Sequence, residues 1–420
     1  MRILYLCPDL GVPVLGHKGA SVHVRSLAGA LARVGHDVVV VAASLTGSPW
    51  EAPATLAAPL VHLPPSDATL DAVLAARDLR DAVGASSELP AELRRILYDR
   101  DLARELRLRF VRHRPDAIYE RASLYATAGG ALARALDVPH VVELNASLAL
   151  EHRTYRSAGV DDLPAAAETR LLHGADAVVA VSEALREHVL RLGVPPERVT
   201  VRPNGVDRER FRPGGRDAGL RDALGLNGGP VVGFVGGLRD WHGVDVLPEL
   251  LARLSERAPD TRLLVVGDGP LAGPLAAELA RRGLRERAVL TGAVAHERVP
   301  ALVRELDVAV APYPSLTHDF YFSPLKLLEY MACGVAVVAS AVGAIPAVVH
   351  DGETGLLVPP GRPDELAAAC LRLLEDAALR TRIGAAAAAA VGERHGWEAV
   401  ARETAEQIAA LAAGRVGAAA

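Results

Sequence analysis

Short runs of consecutive Val, Ile, Leu and Ala alternate along the chain with longer stretches in which apolar residues recur every three or four positions. Runs that lack polar alternation predict strands buried on both faces, and the longer stretches predict amphipathic helices packed against them. The chain opens as strand RILYLC, a Gly-rich loop LGVPVLGHKGA, helix SVHVRSLAGALARVG and strand HDVVVVAA, which together form a βαβ unit. Strand-like runs follow at DAIYE, HVVEL, DAVVAVS and VTVRP, while the charged segment 67–113 reads as a helical excursion. After PNGVD (203–207) the stretch FRPGGRDAGLRDALGLNGGP, rich in Gly, Pro and charge, reads as an interdomain linker.

From Val231 the pattern starts again with VVGFVGG, RLLVVGDG, RAVLTGA, DVAVAPY, VAVVAS and GLLVPP. The expected fold class is therefore α/β, with two doubly wound, Rossmann-like domains. Their expected spans are 1–205 and 229–395, joined by a linker at 206–228, with a final helix at about 396–415 able to pack back on the first domain. Ligands of such sheets bind beyond the carboxyl ends of the strands, so the loops after VVGFV, LLVV, AVLTG and AVAPY are expected to face one site. A cleft between the two domains is its expected place.

A length of 420 residues agrees with two domains. The formal net charge of -5 argues against a general nucleic-acid binder. Cys7, Cys333 and Cys370 are few and far apart, which excludes a disulfide framework or CxxC metal site and fits a reducing, cytoplasmic setting. The N-terminus suits a first strand better than a secretion signal, and no run reaches the ~20 apolar residues of a membrane span. Peripheral membrane contact stays open.

The chain holds two lysines, Lys18 and Lys326, and the second lies in an unexpected place. In FYFSPLKLLEYMACG (320–334), Ser323 reads as an N-cap and Pro324 as the first helical residue, so Lys326 falls in the first turn. A cation there opposes the helix dipole by ~0.3–1 kcal/mol, which suggests that something negative visits. Backbone N–H groups of the helix entrance, reinforced by the Lys326 ammonium, suit a phosphate or diphosphate. Lys326, Glu329 and Tyr330 share a face, and Glu329 can accept two ribose hydroxyls. The plain alternative is a solvated Lys–Glu pair worth ~0.2–0.5 kcal/mol.

In FVGGLRDWHGVDVL (234–247) a turn containing Gly236 and Gly237 is followed by Arg239, which can hold a diphosphate bidentately, and His242, which can donate a hydrogen bond. The alternative is a tight turn with a surface Arg. GDGPLAG (267–273) lacks the GxGxxG spacing, which disfavours an NAD enzyme. Asp99-Arg100-Asp101 sits in an Arg-laced helical pattern and reads as a solvated face, and the histidines show no ligand pair, so no metal and no cofactor is expected.

Together these stretches resemble the retaining GT-B glycosyltransferases of family 4 (glycosyl transferases group 1) over nearly the whole chain. The resemblance is carried by GHKGASVHVRSLAGALARVGHDVVVV, ADAVVAVSEALRE, VRPNGVDRERFRP, FVGGL with WHGVDVL, VVGDGP, LTGAV, DVAVAPYP, SPLKLLEYMACGVAVVAS and GETGLLVPPGRPDELA, in that order. It implies a GT-B fold, a nucleotide-sugar donor (a UDP-sugar favoured) held by the C-terminal domain, and a small-molecule or glycan hydroxyl acceptor held by the N-terminal domain. Glu329 matches the acid that binds the donor ribose. Ser323, Pro324, Leu325 and Lys326 match the stretch that meets the donor phosphates and sugar. Gly267 and the backbone from Gly292 to Val294 match segments beside the base, and Gly19 matches the loop glycine next to the phosphates.

Three positions depart from the family pattern. Tyr321 stands where the first of two paired acids is usual, with Asp319 a displaced substitute; Gly237 and His242 stand where an Arg and a Lys are usual; and Asn145 stands for a histidine. The implied chemistry is metal-independent hexosyl transfer with retention, in which Lys326 and Arg239 stabilise the departing diphosphate. Glu143, at a strand end, is a candidate catalytic or acceptor-binding acid; Asn145 and Arg121 are candidate acceptor contacts; for Glu143, and for Glu120 with Arg121, a structural role is the favoured alternative. Two rival readings are a nucleotide-sugar-binding protein without catalysis and a GT-B-like sugar-nucleotide epimerase.

Overall fold

The structure, a computed structural model, describes residues 1–47, 53–155, 162–315, 320–321, 323–392 and 395–419. It divides into two compact units. The first comprises Met1–Pro203, Tyr321–Ser323 and Glu398–Ala420, and the second Asn204–Phe320 and Pro324–Trp397.

The first unit is built on seven strands: β1 (Arg2–Cys7), β2 (Asp37–Ala42), β3 (Leu60–His62), β4 (Ala117–Arg121), β5 (His140–Leu144), β6 (Ala177–Ala180) and β7 (Val199–Val201). They form one sheet in the order β3-β2-β1-β4-β5-β6-β7, and every pairing is parallel. β4 and β5 have at most one residue that is not buried, as two-sided coverage requires. The strand order reverses between β1 and β4, so the carboxyl ends of these strands and of β5 mark the switch point of this sheet. β3 was not among the predicted strands. It has three residues, sits at the sheet edge and is only partly buried, which leaves no apolar run to read.

The excursion 67–113 is a pair of helices, Asp67–Ala82 and Leu89–Phe110. Asp99 and Asp101 are not the solvated face the sequence suggested. Asp101 is buried and accepts from Ser66 N, Ser66 Oγ and Thr69 Oγ1 at 3.0, 2.6 and 2.6 Å. Asp99 accepts from Thr127 N, Thr127 Oγ1 and Ala128 N, satisfying free amides at the start of helix Ala128–Leu136. Both acids are spent on helix starts.

The second unit carries six strands: β8 (Val231–Val235), β9 (Arg262–Val266), β10 (Ala288–Leu290), β11 (Val308–Ala311), β12 (Ala336–Ser340) and β13 (Leu356–Val358). Their order is β10-β9-β8-β11-β12-β13, again all parallel, with the reversal between β8 and β11. Its core joins Val232, Phe234, Val265, Val308 and Val338 of the strands to Leu250, Leu254, Leu275 and Cys370 of the covering helices.

The stretch 206–228 is not a free linker. Phe211 is 1% exposed, Arg216 pairs with Asp307 at 2.7 Å, Arg221 donates to the Glu305 carbonyl at 3.1 Å, and Leu226 is fully buried. Its Gly, Pro and Arg content reads as a linker, but Arg216 and Arg221 have partners within the unit. The last helix, Trp397–Ala419, contributes its residues from Glu398 onward to the first unit. All three cysteines are buried and unbonded. No described helix is long and apolar enough to cross a membrane.

Candidate active site

The helix that carries Lys326 runs Leu325–Ala332. It starts one residue later than the sequence suggested, because Pro324 has ψ 61, outside the helical range, and occupies the cap position without a side-chain hydrogen bond. Ser323 is therefore outside the helix and is not its N-cap. Tyr330, expected beside Lys326 and Glu329, turns into the core instead. Val235 N donates to its hydroxyl at 2.7 Å, and that hydroxyl donates to Val235 O at 3.2 Å. This double link ties the helix to the end of β8, so the first helical turn reaches the switch point of the second sheet.

Lys326 Nζ is placed there by packing. It lies 4.3 Å from the centre of the Phe234 ring and 5.2 Å from that of Tyr313, in contact range of the Gly236 backbone. Among the described residues it has no hydrogen-bond partner. Burial pulls its ammonium down to about 7, against the raising influence of Glu329 one turn on. The cation–π faces supply ~2 kcal/mol or less of compensation, too little to replace lost hydration.

His242 stands at the same place, with its ring 5.9 Å from Tyr313 and 6.2 Å from Phe234. Its Nδ1 donates to Gly237 O at 2.6 Å. Burial, then the charges of Lys326 and Arg239, pull the ring down to about 3 despite that bond, so it is neutral and its Nε2 bears a lone pair. The hydrogen-bond donor expected of His242 is thus directed at the chain, not at a ligand. Arg239 is exposed and lies 5.4 Å over the Trp241 ring.

The loops after β8, β9 and β10 are laced by glycine. Gly267 N donates to Gly292 O at 3.0 Å, Leu238 N to Asp268 O at 3.0 Å, and Gly236 N to Val266 O at 2.9 Å. Gly267, at φ 135, lies so close to the Gly236 carbonyl that a Cβ there would overlap it. Gly236, Gly237, Gly267 and Gly292 thus form one backbone shelf, with Val294 in the loop that leads to the turn His296–Arg298. That turn brings in a residue the sequence reading missed: His296 Nε2 donates to Glu329 Oε1 at 2.9 Å. The two are 33 positions apart, so no local pattern could have paired them. Tyr313 and Phe234 were visible only as members of apolar runs.

Lys326, Glu329, Arg239, His242, Gly236, Gly237, Gly267, Gly292 and Val294 all belong to the second unit, as do Pro324 and Leu325; Gly19 and Ser323 fall in the first. Gly19 opens the helix Gly19–Arg33, with free space where a Cβ would stand. Asp319 lies outside the described residues. Tyr321 offers no acid and is anchored inside the first unit: its hydroxyl donates to Glu151 Oε1 at 2.9 Å and its carbonyl accepts from Ser182 Oγ at 2.8 Å.

At the switch point of the first sheet, Glu143 is 3% exposed and both carboxylate oxygens lie 2.9 Å from His23 Nε2. Burial alone would raise its pKa, but His23, Arg121 at 3.9 Å and Asn145 outweigh it and hold the acid at about 2. Its neighbours favour the carboxylate form and occupy both of its oxygens. Glu120 is equally internal, paired with His140 Nε2 at 2.8 Å. Arg121 remains 11% exposed beside Glu143.

Two family models match. Residues 229–376 fit the glycosyl transferases group 1 model, and residues 17–210 fit glycosyltransferase family 4. The alpha-maltose-1-phosphate synthase of Mycolicibacterium smegmatis is 33% identical over 301 residues, covering 67% of this chain and 76% of that protein. The alpha-D-kanosaminyltransferase of Streptomyces kanamyceticus is 33% identical over 265 residues, covering 61% and 67% respectively. Anabaena HepE, solved with UDP and with UDP-glucose, superposes over 98% of this chain and 100% of its own at a TM-score of 0.71 and 21% identity, which establishes the GT-B fold.

Proposed function

Because the chain belongs to glycosyltransferase family 4, of the group 1 type, we propose that it moves a hexose-type sugar from a UDP-sugar to a hydroxyl acceptor, with retention and without a metal. The observation that carries this reading is Lys326, a buried cation with no partner among the described residues, held at the β8/β11 switch point one turn from a carboxylate. The UDP preference is supported by the ligand of HepE.

In this reading the diphosphate lies against the glycine shelf and the first-turn amides of helix Leu325–Ala332, with Lys326 beneath and Arg239 at the exposed mouth. Entry of the anion offsets the burial cost of the ammonium, so Lys326 takes up a proton near pH 7. Neutral His242 packs the shelf through Gly237 and leaves Nε2 as an acceptor. Glu329 accepts from the ribose hydroxyls. As the anomeric C–O bond breaks, negative charge grows on the diphosphate, where preoriented Lys326 and backbone N–H groups meet it without reorganisation. The acceptor hydroxyl oxygen bonds to the same face and its proton passes to the departing phosphate. Glu143, fixed as a carboxylate against His23, supports the wall of the first unit, with Asn145 and Arg121 toward the acceptor.

A thermal-shift panel of UDP-, dTDP- and GDP-sugars, followed by turnover with added acceptors and NMR of the product anomer, tests the reading. Glu329→Ala is expected to weaken donor binding at least about tenfold, ~1.4 kcal/mol. Unchanged affinity in that variant, or donor consumption that ignores every acceptor, would refute it. Turnover is expected to survive EDTA.

A further inference from the structure

We propose that His296 is the positioning residue for Glu329, and that its hydrogen bond decides whether the carboxylate can read a ribose diol. The inference rests on the donor-site reading above. Glu329 is a three-torsion side chain at the inner end of a helical turn, 9% exposed. Among the described residues His296 is the hydrogen-bond partner of its carboxylate. Lys326, three residues earlier, acts on it through charge alone. A carboxylate held at Oε1 has fewer open rotamers and presents Oε2 over a narrower range of directions than one without that bond.

His296 is itself braced. It opens the turn His296–Arg298 after β10, its side chain is 17% exposed, and its ring lies 5.3 Å from Phe211 at 45°. Phe211 is buried and belongs to the stretch 206–228, which gives that packed segment a purpose. The chain of contacts runs from Phe211 to the His296 ring, from Nε2 to Oε1, and from Oε2 to the ligand. Binding of a vicinal diol then costs little ordering of Glu329, whereas a ligand lacking one hydroxyl leaves one acceptor position of Oε2 unmet.

The test compares the tightest binder among UDP, GDP and ADP with its 2′-deoxy analogue by calorimetry on the full chain. The parent is expected to prefer the ribose form by about tenfold or more. His296→Phe keeps a ring against Phe211 but removes the donor, and is expected to erase the preference. His296→Gln loses the ring but keeps an N–H donor, and is expected to retain most of it. A residue that only packs would give the opposite ranking. Melting curves confirm that both variants fold. Preference intact in His296→Phe, or erased in both variants, overturns the proposal. A parent that binds no nucleotide overturns the donor site itself, whereas loss in Glu329→Ala with no loss in His296→Phe overturns only the role of His296.

Discussion

The clearest single residue is Lys326, whose burial costs stability and which the proposed donor site would use. Burial lowers its pKa from 10.5 to about 7. Between those values the unfolded chain holds more protons than the folded one, so stability rises with pH from about 7 to 10.5, and the burial cost is fully present below that window. Lys326→Met fills the space between Phe234 and Tyr313 without a charge to desolvate. It is expected to melt higher than the parent at pH 7, to lose this rise with pH, and to lose the thermal shift given by UDP. A variant that melts lower and still responds to UDP would separate Lys326 from both roles. The sequence pointed to this residue because a lone lysine in a first helical turn opposes the dipole. It could not show how the charge is buried, since Phe234, Tyr313 and Gly236 come from two other strand ends.

Elements were legible where side chains report their own environment. Apolar runs without polar alternation predicted twelve of the thirteen described strands, because a strand covered on both faces has few polar positions to spare. The loops between them follow different rules, set by how closely backbones approach. Gly243, in the WHG stretch, has φ 66 and caps the turn Asp240–His242; a Cβ there would overlap the Pro312 carbonyl. That contact joins the loop after β8 to the loop after β11 and so sets the distance from His242 to Tyr313. Gly243→Ala combines left-handed strain of ~1–2 kcal/mol with an overlap against backbone that cannot rotate away. Chemical denaturation should show a loss of at least ~2 kcal/mol, with UDP affinity falling in step as the Lys326 pocket opens. Equal affinity at lower stability would mean that the two loops are positioned independently. The start of helix Leu325–Ala332 lies one residue later than the sequence suggested, because Pro324 takes ψ 61 and stays outside the helix.

At the scale of the molecule, the first and last segments of the second unit meet. Val206 N donates to His395 O at 2.7 Å, Trp397 N donates to Val206 O at 3.3 Å, and Gly205 lies against Trp397, which is 2% exposed. Beyond that closure the final helix serves the first unit. Glu398 pairs with Arg33 at 2.6 Å, Arg415 with Asp176 at 2.6 Å, and Val400, Ala401, Ala405 and Ile408 are buried. Arg202, 7% exposed, donates to Gln407 Oε1 at 3.1 Å and to the Glu403 carbonyl at 3.3 Å. Ending the chain after Trp397 leaves that guanidinium without these acceptors and uncovers the apolar side chains packed by the helix, a loss of roughly 5 kcal/mol or more. The whole loss falls on the first unit, while Lys326, Glu329 and the glycine shelf lie in the second. Scanning calorimetry of the truncated chain is therefore expected to lower or abolish one transition and to keep another that UDP still raises. A single transition, lowered and indifferent to UDP, would show that the donor site depends on the first unit, and nucleotide recognition would have to be reassigned to both.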